Sequence, residues 1–393
     1  MKLLLRRTYS TFINYVFVGV LCLLLSACST EASDSLTATA PQPTQTATGA
    51  SQALSAEDHY DRGSDYFTDG DYELAISEYS EAIKLDPEYV DAYYFRCVAY
   101  YETGEHDKAI SDCAQAIKFK PDHAEAHRFR GHSYSAKGEH DLAIADFNEA
   151  LRLEPDNAEL FNARGWSYYN KRQYALALAD YDRAIELDPD YALAYNNRGV
   201  VYFDTWDYDK ALADYNQAIE IDAEFDWPYS NRGRVFLQKQ EYDQAVKDFD
   251  AAIKLNPDFA DAYNGRGAAY HKLGMHDRAI EDYSEAIRLN PNFDWAYNNR
   301  GYTYYDKGSY EQALDDYNRA IDLNPKFALA YYNRGLLHQI STPNTEGQRK
   351  AIEDYKMAFA LTESATEGDD SYLNGLAAFK LKEFGEVPPT PIP

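Results

Sequence analysis

The chain has 393 residues, 45% of them hydrophobic, and carries a formal net charge of −27 at pH 7, with a mean hydropathy of −0.61. That is enough apolar material for a large folded body, and far too polar for a polytopic membrane protein. The negative balance argues against nucleic acid, whose phosphates would be repelled. It favours basic partners, or mixed-charge partners with apolar anchors.

The first 27 residues hold Lys2, Arg6 and Arg7 and no acid, followed by an apolar run from Phe12 to Leu25 broken by Asn14 and Gly19. The run is too short to span a membrane comfortably and fits the h-region of a signal peptide. It ends in Leu25-Ser26-Ala27-Cys28, which resembles the lipobox of bacterial lipoproteins. The resemblance implies cleavage before Cys28, diacylation of its thiol and acylation, palmitate included, of the new amino terminus. It also implies a lipid-anchored place in the cell envelope. Ser29 rather than Asp after the cysteine points to the periplasmic face of the outer membrane over the inner membrane. Residues 28–55 join the lipidated cysteine to a Ser, Thr, Pro, Ala and Gln tract, which lacks the apolar side chains to offset chain entropy and reads as a disordered tether.

From residue 56 a 34-residue step takes over. Pro87, Pro121, Pro155 and Pro189 obey it, and the series resumes at Pro257, Pro291 and Pro325, with Ala223 in the vacant slot. A sustained period of this length means stacked supersecondary units. Within Ala192–Asp222, Tyr195, Gly199 and Tyr202 mark one face of a first helix, and 204–207 makes the turn. Leu212, Tyr215, Ala218 and Ile219 mark a second helix. Gly63, Gly131, Gly165, Gly199, Gly233, Gly267, Gly301 and Gly335 keep one small-residue slot. Alanines from Ala75 to Ala351 and from Ala82 to Ala358 keep two more. In-phase small residues at this spacing resemble the tetratricopeptide repeat (TPR), here as a bacterial TPR lipoprotein. The resemblance covers 56–363 as nine units. It implies an all-α solenoid, a right-handed superhelix of helix-turn-helix units whose first helices line a concave peptide-binding groove. Unit nine has four extra residues within 340–349, expected to widen its turn. Tyr372, Leu373, Leu376, Phe379 and Phe384 form an amphipathic segment in 364–393, expected to be a capping helix before a Pro-rich tail.

Three constellations stand out from the consensus. An Arg precedes the small residue in every unit, from Arg62 to Arg334, and an acid follows it 16 residues later in eight units, as Arg198 and Asp214 show; in unit nine Asp354 fills the slot after the insertion. Antiparallel helices bring those phases together, so an Arg–carboxylate ladder is one reading and solvated charges the other. Cys97 and Cys113 replace the glycine and aromatic slots of unit two alone. A disulfide suits an oxidising envelope, and two free buried thiols are the alternative. Asn162, Asn197, Asn231, Asn264, Asn299 and Asn333 occupy two adjacent first-helix slots. They resemble the asparagine ladder in the repeat superhelix of the enzyme that attaches N-acetylglucosamine to proteins. The resemblance implies amides gripping a peptide backbone, the other reading being a repeat residue carried along by duplication. Tyr101, Tyr169, Phe203 and Tyr305 are candidate apolar anchors, with core packing as the competing role.

His106, His140 and His276 recur one unit or more apart, and no His-Glu-x-x-His or Cys-x-x-Cys pair is present. No metal site and no cofactor is expected. With no nucleophile elbow or phosphate-cradling loop, an enzyme is not expected either. The sequence therefore reads as an envelope scaffold or assembly factor that binds proteins or peptides. A polysaccharide-binding component of an export apparatus is the alternative.

Overall fold

A computed structural model describes residues 54–341, 345–362 and 369–386. The signal segment, Cys28, nearly all of the tether and the Pro-rich tail lie outside the described residues. Among the described residues there are nineteen helices and no strand.

The chain divides into two compact units at residues 189 and 190. The first holds four hairpins. They are α1 (Ala56–Thr68) with α2 (Tyr72–Leu85), α3 (Val90–Glu102) with α4 (His106–Phe119), α5 (Ala124–Ala136) with α6 (His140–Leu153), and α7 (Ala158–Asn170) with α8 (Tyr174–Leu187). The second holds five. They are α9 (Ala192–Asp204) with α10 (Tyr208–Ile221), α11 (Asp226–Lys239) with α12 (Tyr242–Leu255), α13 (Ala260–Lys272) with α14 (His276–Leu289), α15 (Asp294–Asp306) with α16 (Tyr310–Leu323), and α17 (Ala328–Ser341) with α18 (Thr345–Thr362). A last helix, α19 (Asp369–Glu383), packs on α18. Inside each unit the second helix of one hairpin packs on the first helix of the next, as α2 does on α3 and α10 on α11.

The close approach inside a hairpin explains its glycine. A Cβ on Gly199 would stand 2.7 Å from Cε1 of Tyr215, and one on Gly335 2.7 Å from Cε1 of Tyr355. The aromatic ring thus occupies the space a side chain would need, and Tyr215 is fully buried by it. The two alanine slots of the second helix, such as Ala211 and Ala218, are also fully buried and let α10 meet its neighbours at backbone distance.

The turn inside each of the first eight hairpins holds one left-handed residue. Glycine supplies it at Gly70, Gly104, Gly138, Gly274 and Gly308, whereas Arg172, Trp206 and Gln240 adopt φ of 58°, 68° and 64° at the same slot. A side chain there is strained, so these three turns are held by the packing of their helices rather than by local preference.

Two expectations are corrected. The four extra residues of unit nine are absorbed mainly as helix: α18 has 18 residues where its siblings have 14. The reason is local, since Arg349 pairs with Glu346 and Glu353 at helical spacing. In α19, Leu373, Ala377 and Leu381 make the buried stripe against Tyr332 and Tyr355, while Phe379 faces out at 59% exposure. The cap therefore buries a narrower face than its aromatic content suggests.

Candidate partner-binding face

The polar skeleton comes first, because it decides which polar groups are left for anything else. In units two to nine the recurring Arg grips its Asp with two parallel bonds. Arg198 places Nε 2.9 Å and Nη2 2.7 Å from the two oxygens of Asp214. Arg96–Asp112, Arg130–Asp146, Arg164–Asp180, Arg232–Asp248, Arg266–Asp282, Arg300–Asp316 and Arg334–Asp354 repeat the geometry. The acids are buried and the guanidinium groups largely so. Most of these arginines also reach the preceding repeat through Nη1: Arg164 to Asn148 and Arg232 to Asn216, both 2.6 Å, and Arg300 to Ser284, 2.9 Å. Seven of these guanidinium groups further lie near an aromatic one turn earlier, as Arg232 does over Tyr229 at 5.6 Å. One side chain therefore ties its own hairpin and the one before it. Burial pushes the carboxyls of Asp282 and Asp316 up. At Asp146 burial pushes the same way, but bonds from Arg130 and His127 outweigh it and hold the group below its usual range.

The asparagines form a second set of ties. Asn231 donates to Asn196 Oδ1, Asn299 to Asn264 Oδ1 and Asn333 to Asn298 Oδ1, each at 3.0 Å. The pattern joins the sixth residue of one first helix to the fifth of the preceding one, a step of 35 rather than 34. Asn162, Asn196, Asn197, Asn231, Asn264, Asn298 and Asn333 are buried and Asn299 is half-buried. The amides thus fasten adjacent first helices to one another, with only part of their bonding capacity left over. The offset of one residue was the available sequence signal.

In unit two Cys97 and Cys113 are joined as a disulfide with Cα atoms 5.4 Å apart. They fill the contact that glycine and an aromatic ring fill in sibling units.

The candidate anchors separate by exposure and by unit. In the first unit Tyr169 is buried at 4% beside Trp166, so it belongs to the core, and Tyr101 is half-buried against Phe129, His106 and His132. In the second unit Phe203 and Tyr305 stay half-buried. Phe203 lies under the Arg234 guanidinium at 4.7 Å, and Tyr305 stacks on Tyr302 at 6.3 Å.

Residues the sequence pattern did not single out lie on α13 and α15, the first helices of units seven and eight. Burial raises the Asp261 carboxyl to about 6 and lowers the His271 imidazole to about 4. It also lowers the Lys272 ammonium and raises the Asp306 carboxyl. His271 sits 3.1 Å from Thr303 Oγ1 and 3.5 Å from Asp306. By surface area Lys272 and Asp306 are exposed and Asp261 and His271 half-buried, so solvent reaches all four. Their only signal in the sequence was departure from the repeat at variable slots. Among the described residues no group of three or more His, Cys, Asp or Glu side chains has the geometry to hold a metal ion.

Family models recognise the same repeats. "TPR repeat" matches residues 131–172, 165–205, 233–274 and 301–339. Three models described as "Tetratricopeptide repeat" match 192–225 and 260–293, 60–124, and 283–315. Together they cover more than half of the chain. No curated protein matches the sequence. Among solved structures, a chain of the APC/C hetero-tetramer Cut9–Hcn1 is 16% identical with a TM-score of 0.56, the match covering 82% of this chain and 76% of that one. A tetratricopeptide repeat protein from Parabacteroides merdae is 22% identical with a TM-score of 0.52, over 65% of this chain and 98% of that one. Both likenesses are of fold.

Proposed function

We propose that this chain, which belongs to the tetratricopeptide repeat family, is a lipid-anchored scaffold of the bacterial cell envelope that holds extended segments of partner proteins on its first helices. The fold is that of protein-interaction scaffolds, and the division of labour within it supports the reading. The Arg–Asp and amide ties recur from repeat to repeat and satisfy one another. The second, ninth and twelfth residues of the first helices change from repeat to repeat and carry Trp227, Asp261, Arg234, Phe203, His271 and Tyr305. A constant frame with a variable face is what selective binding to an extended chain requires. The anchor reading rests on the segment ending at Cys28, and places the face near a membrane surface.

Two experiments test it. A photo-crosslinking residue at Phe203 or Tyr305 of the full chain in living cells should yield discrete protein adducts, and one at the exposed Lys210 or Gln244 should not. Equal labelling from all four positions, or retention by envelope glycans with no protein adduct, would overturn the protein-scaffold reading in favour of the polysaccharide one. The mature chain should partition into detergent and carry the mass of an acylated Cys28. Cys28→Ala should release it to the aqueous phase, and an unchanged distribution would end the anchor.

A further inference from the structure

The second residue of the first helix is Leu193, Trp227, Asp261, Trp295 and Leu329 along the second unit. One acid therefore interrupts an apolar row, flanked by tryptophan in the repeats before and after. The three helices concerned run side by side, α11 against α13 and α13 against α15. Both indoles are braced from behind by the last residue of their own repeat: Trp227 on Phe259 at 4.6 Å and Trp295 on Phe327 at 4.3 Å, with both phenylalanines buried.

Asp261 has no counterpart among the acids around it. On the neighbouring first helices Asp226 accepts a bond from Asn256 and Asp294 one from Asn324, each 2.8 Å. Among the described residues no side-chain donor bonds Asp261, and its electrostatic neighbour is Arg234. That guanidinium is already engaged, over the Phe203 ring and with Asn231 Oδ1 at 3.3 Å. The residue is half-buried, so solvent still reaches it. Its place in the first turn of α13 favours a negative charge through the helix dipole. Burial nevertheless outweighs the Arg234 charge and the bond from the residue's own backbone N–H, and the carboxyl is held at about 6. A half-buried carboxylate that no described side chain bonds is open to a partner from outside.

We propose that Trp227, Asp261 and Trp295 form a subsite for one cationic side chain, lysine or arginine, of a bound extended segment. The proposal rests on the scaffold reading and adds the chemistry that the segment must carry at this point. A cation there regains from the carboxylate the interaction it loses on leaving water, and the two indoles supply cation–π faces. The net charge of −27 draws basic segments toward the surface.

The chain has four tryptophans, so its indole N–H signals can be assigned by single Trp→Phe changes and followed in the full chain by NMR. The probe is a capped Gly-Gly-Arg-Gly-Gly peptide, with citrulline in place of arginine as the neutral control. The arginine peptide should shift the Trp227 and Trp295 signals together and leave Trp166 and Trp206 in place. Asp261→Asn should weaken that binding about tenfold, a loss of one charge-assisted contact, without lowering the unfolding midpoint. Equal shifts with the citrulline peptide, no shift of the two signals, or undiminished binding to the Asn variant would each overturn the subsite. Failure here with partner adducts intact at Phe203 and Tyr305 would remove the subsite and leave the scaffold. Success here without adducts would do the reverse.

Discussion

Asp248 and Asp261 belong to consecutive hairpins and share a side chain, but not a situation. Asp248 receives both parallel bonds of Arg232, which also binds Asn216 of the hairpin before. Asp261 receives no side-chain bond from the described residues. One acid belongs to the frame, and its charge is cancelled where it is buried. The other belongs to the variable face, and its charge is left for something outside. The contrast teaches that burial alone does not identify a functional acid here; burial without a partner does.

The largest effect should come from breaking the frame. Arg232→Ala strands Asp248 in a buried position and should cost about 3–5 kcal/mol. Replacing both residues should cost much less than the sum of the two single changes, because the second removes the stranded charge. Native-state hydrogen exchange on α11 and α12 reads the local free energy directly. Additive single-mutant losses would show that the pair does not act as a unit.

The frame has one covalent variant. Cys97 and Cys113 close a loop of sequence separation 16, for which constraint of the unfolded chain contributes about 3 kcal/mol. Reductant should lower the stability of the first compact unit by about that amount. Cys97→Gly with Cys113→Tyr recreates the sibling contact seen at Gly199 and Tyr215, and should make stability independent of reductant. A double variant less stable than the reduced protein would mean that unit two has lost the space for the ring.

The face should respond with the opposite sign. The folded Asp261 carboxyl is raised to about 6 from its ordinary 3.8, so the unfolded chain releases its proton first. Its charge costs stability progressively as pH rises from about 4 to 6, and the cost is complete above that. Asp261→Asn should therefore stabilise the protein by about 2 kcal/mol at pH 8, and the gain should fade toward pH 4. Urea unfolding at the two pH values checks it, and a destabilised variant at pH 8 would place Asp261 in the frame after all.

Which of these features could be read in the sequence follows from how each arises. The Arg–Asp pairs were legible because both partners recur in phase, so one spacing of 16 accounts for seven bidentate contacts, and a spacing of 20 across the insertion for the eighth. The asparagine slots were visible, but not their joining of Asn231 to Asn196, which needs the helices of neighbouring hairpins offset by one residue. Tyr169 looked like Phe203 in the sequence and is buried where Phe203 is not, because Trp166 of its own helix covers it. Asp261 was not legible, since its situation depends on what α11 and α15 put beside it. The turn slot shows the same limit: glycine at 70, 104 and 138 announces left-handed backbone, but Trp206 takes that conformation unannounced.

The smallest effect should fall at the start of the array, where the frame is incomplete. Arg62 has the same slot as Arg232, but no described hairpin precedes it to supply a third partner. Its Nη2 meets Glu78 at 2.9 Å, its side chain is 47% exposed, and His59 also reaches Glu78 at 2.6 Å. Water can replace a guanidinium there, and Glu78 keeps a second partner, so Arg62→Ala should cost under about 1 kcal/mol. Hydrogen exchange on α1 and α2 measures it on the same scale as Arg232→Ala on α11 and α12. A loss at Arg62 as large as that at Arg232 would mean that a single hairpin makes the pair strong by itself. A loss several times smaller would assign the strength to stacking, with the tie between hairpins and the exclusion of water turning an ordinary ion pair into part of the frame.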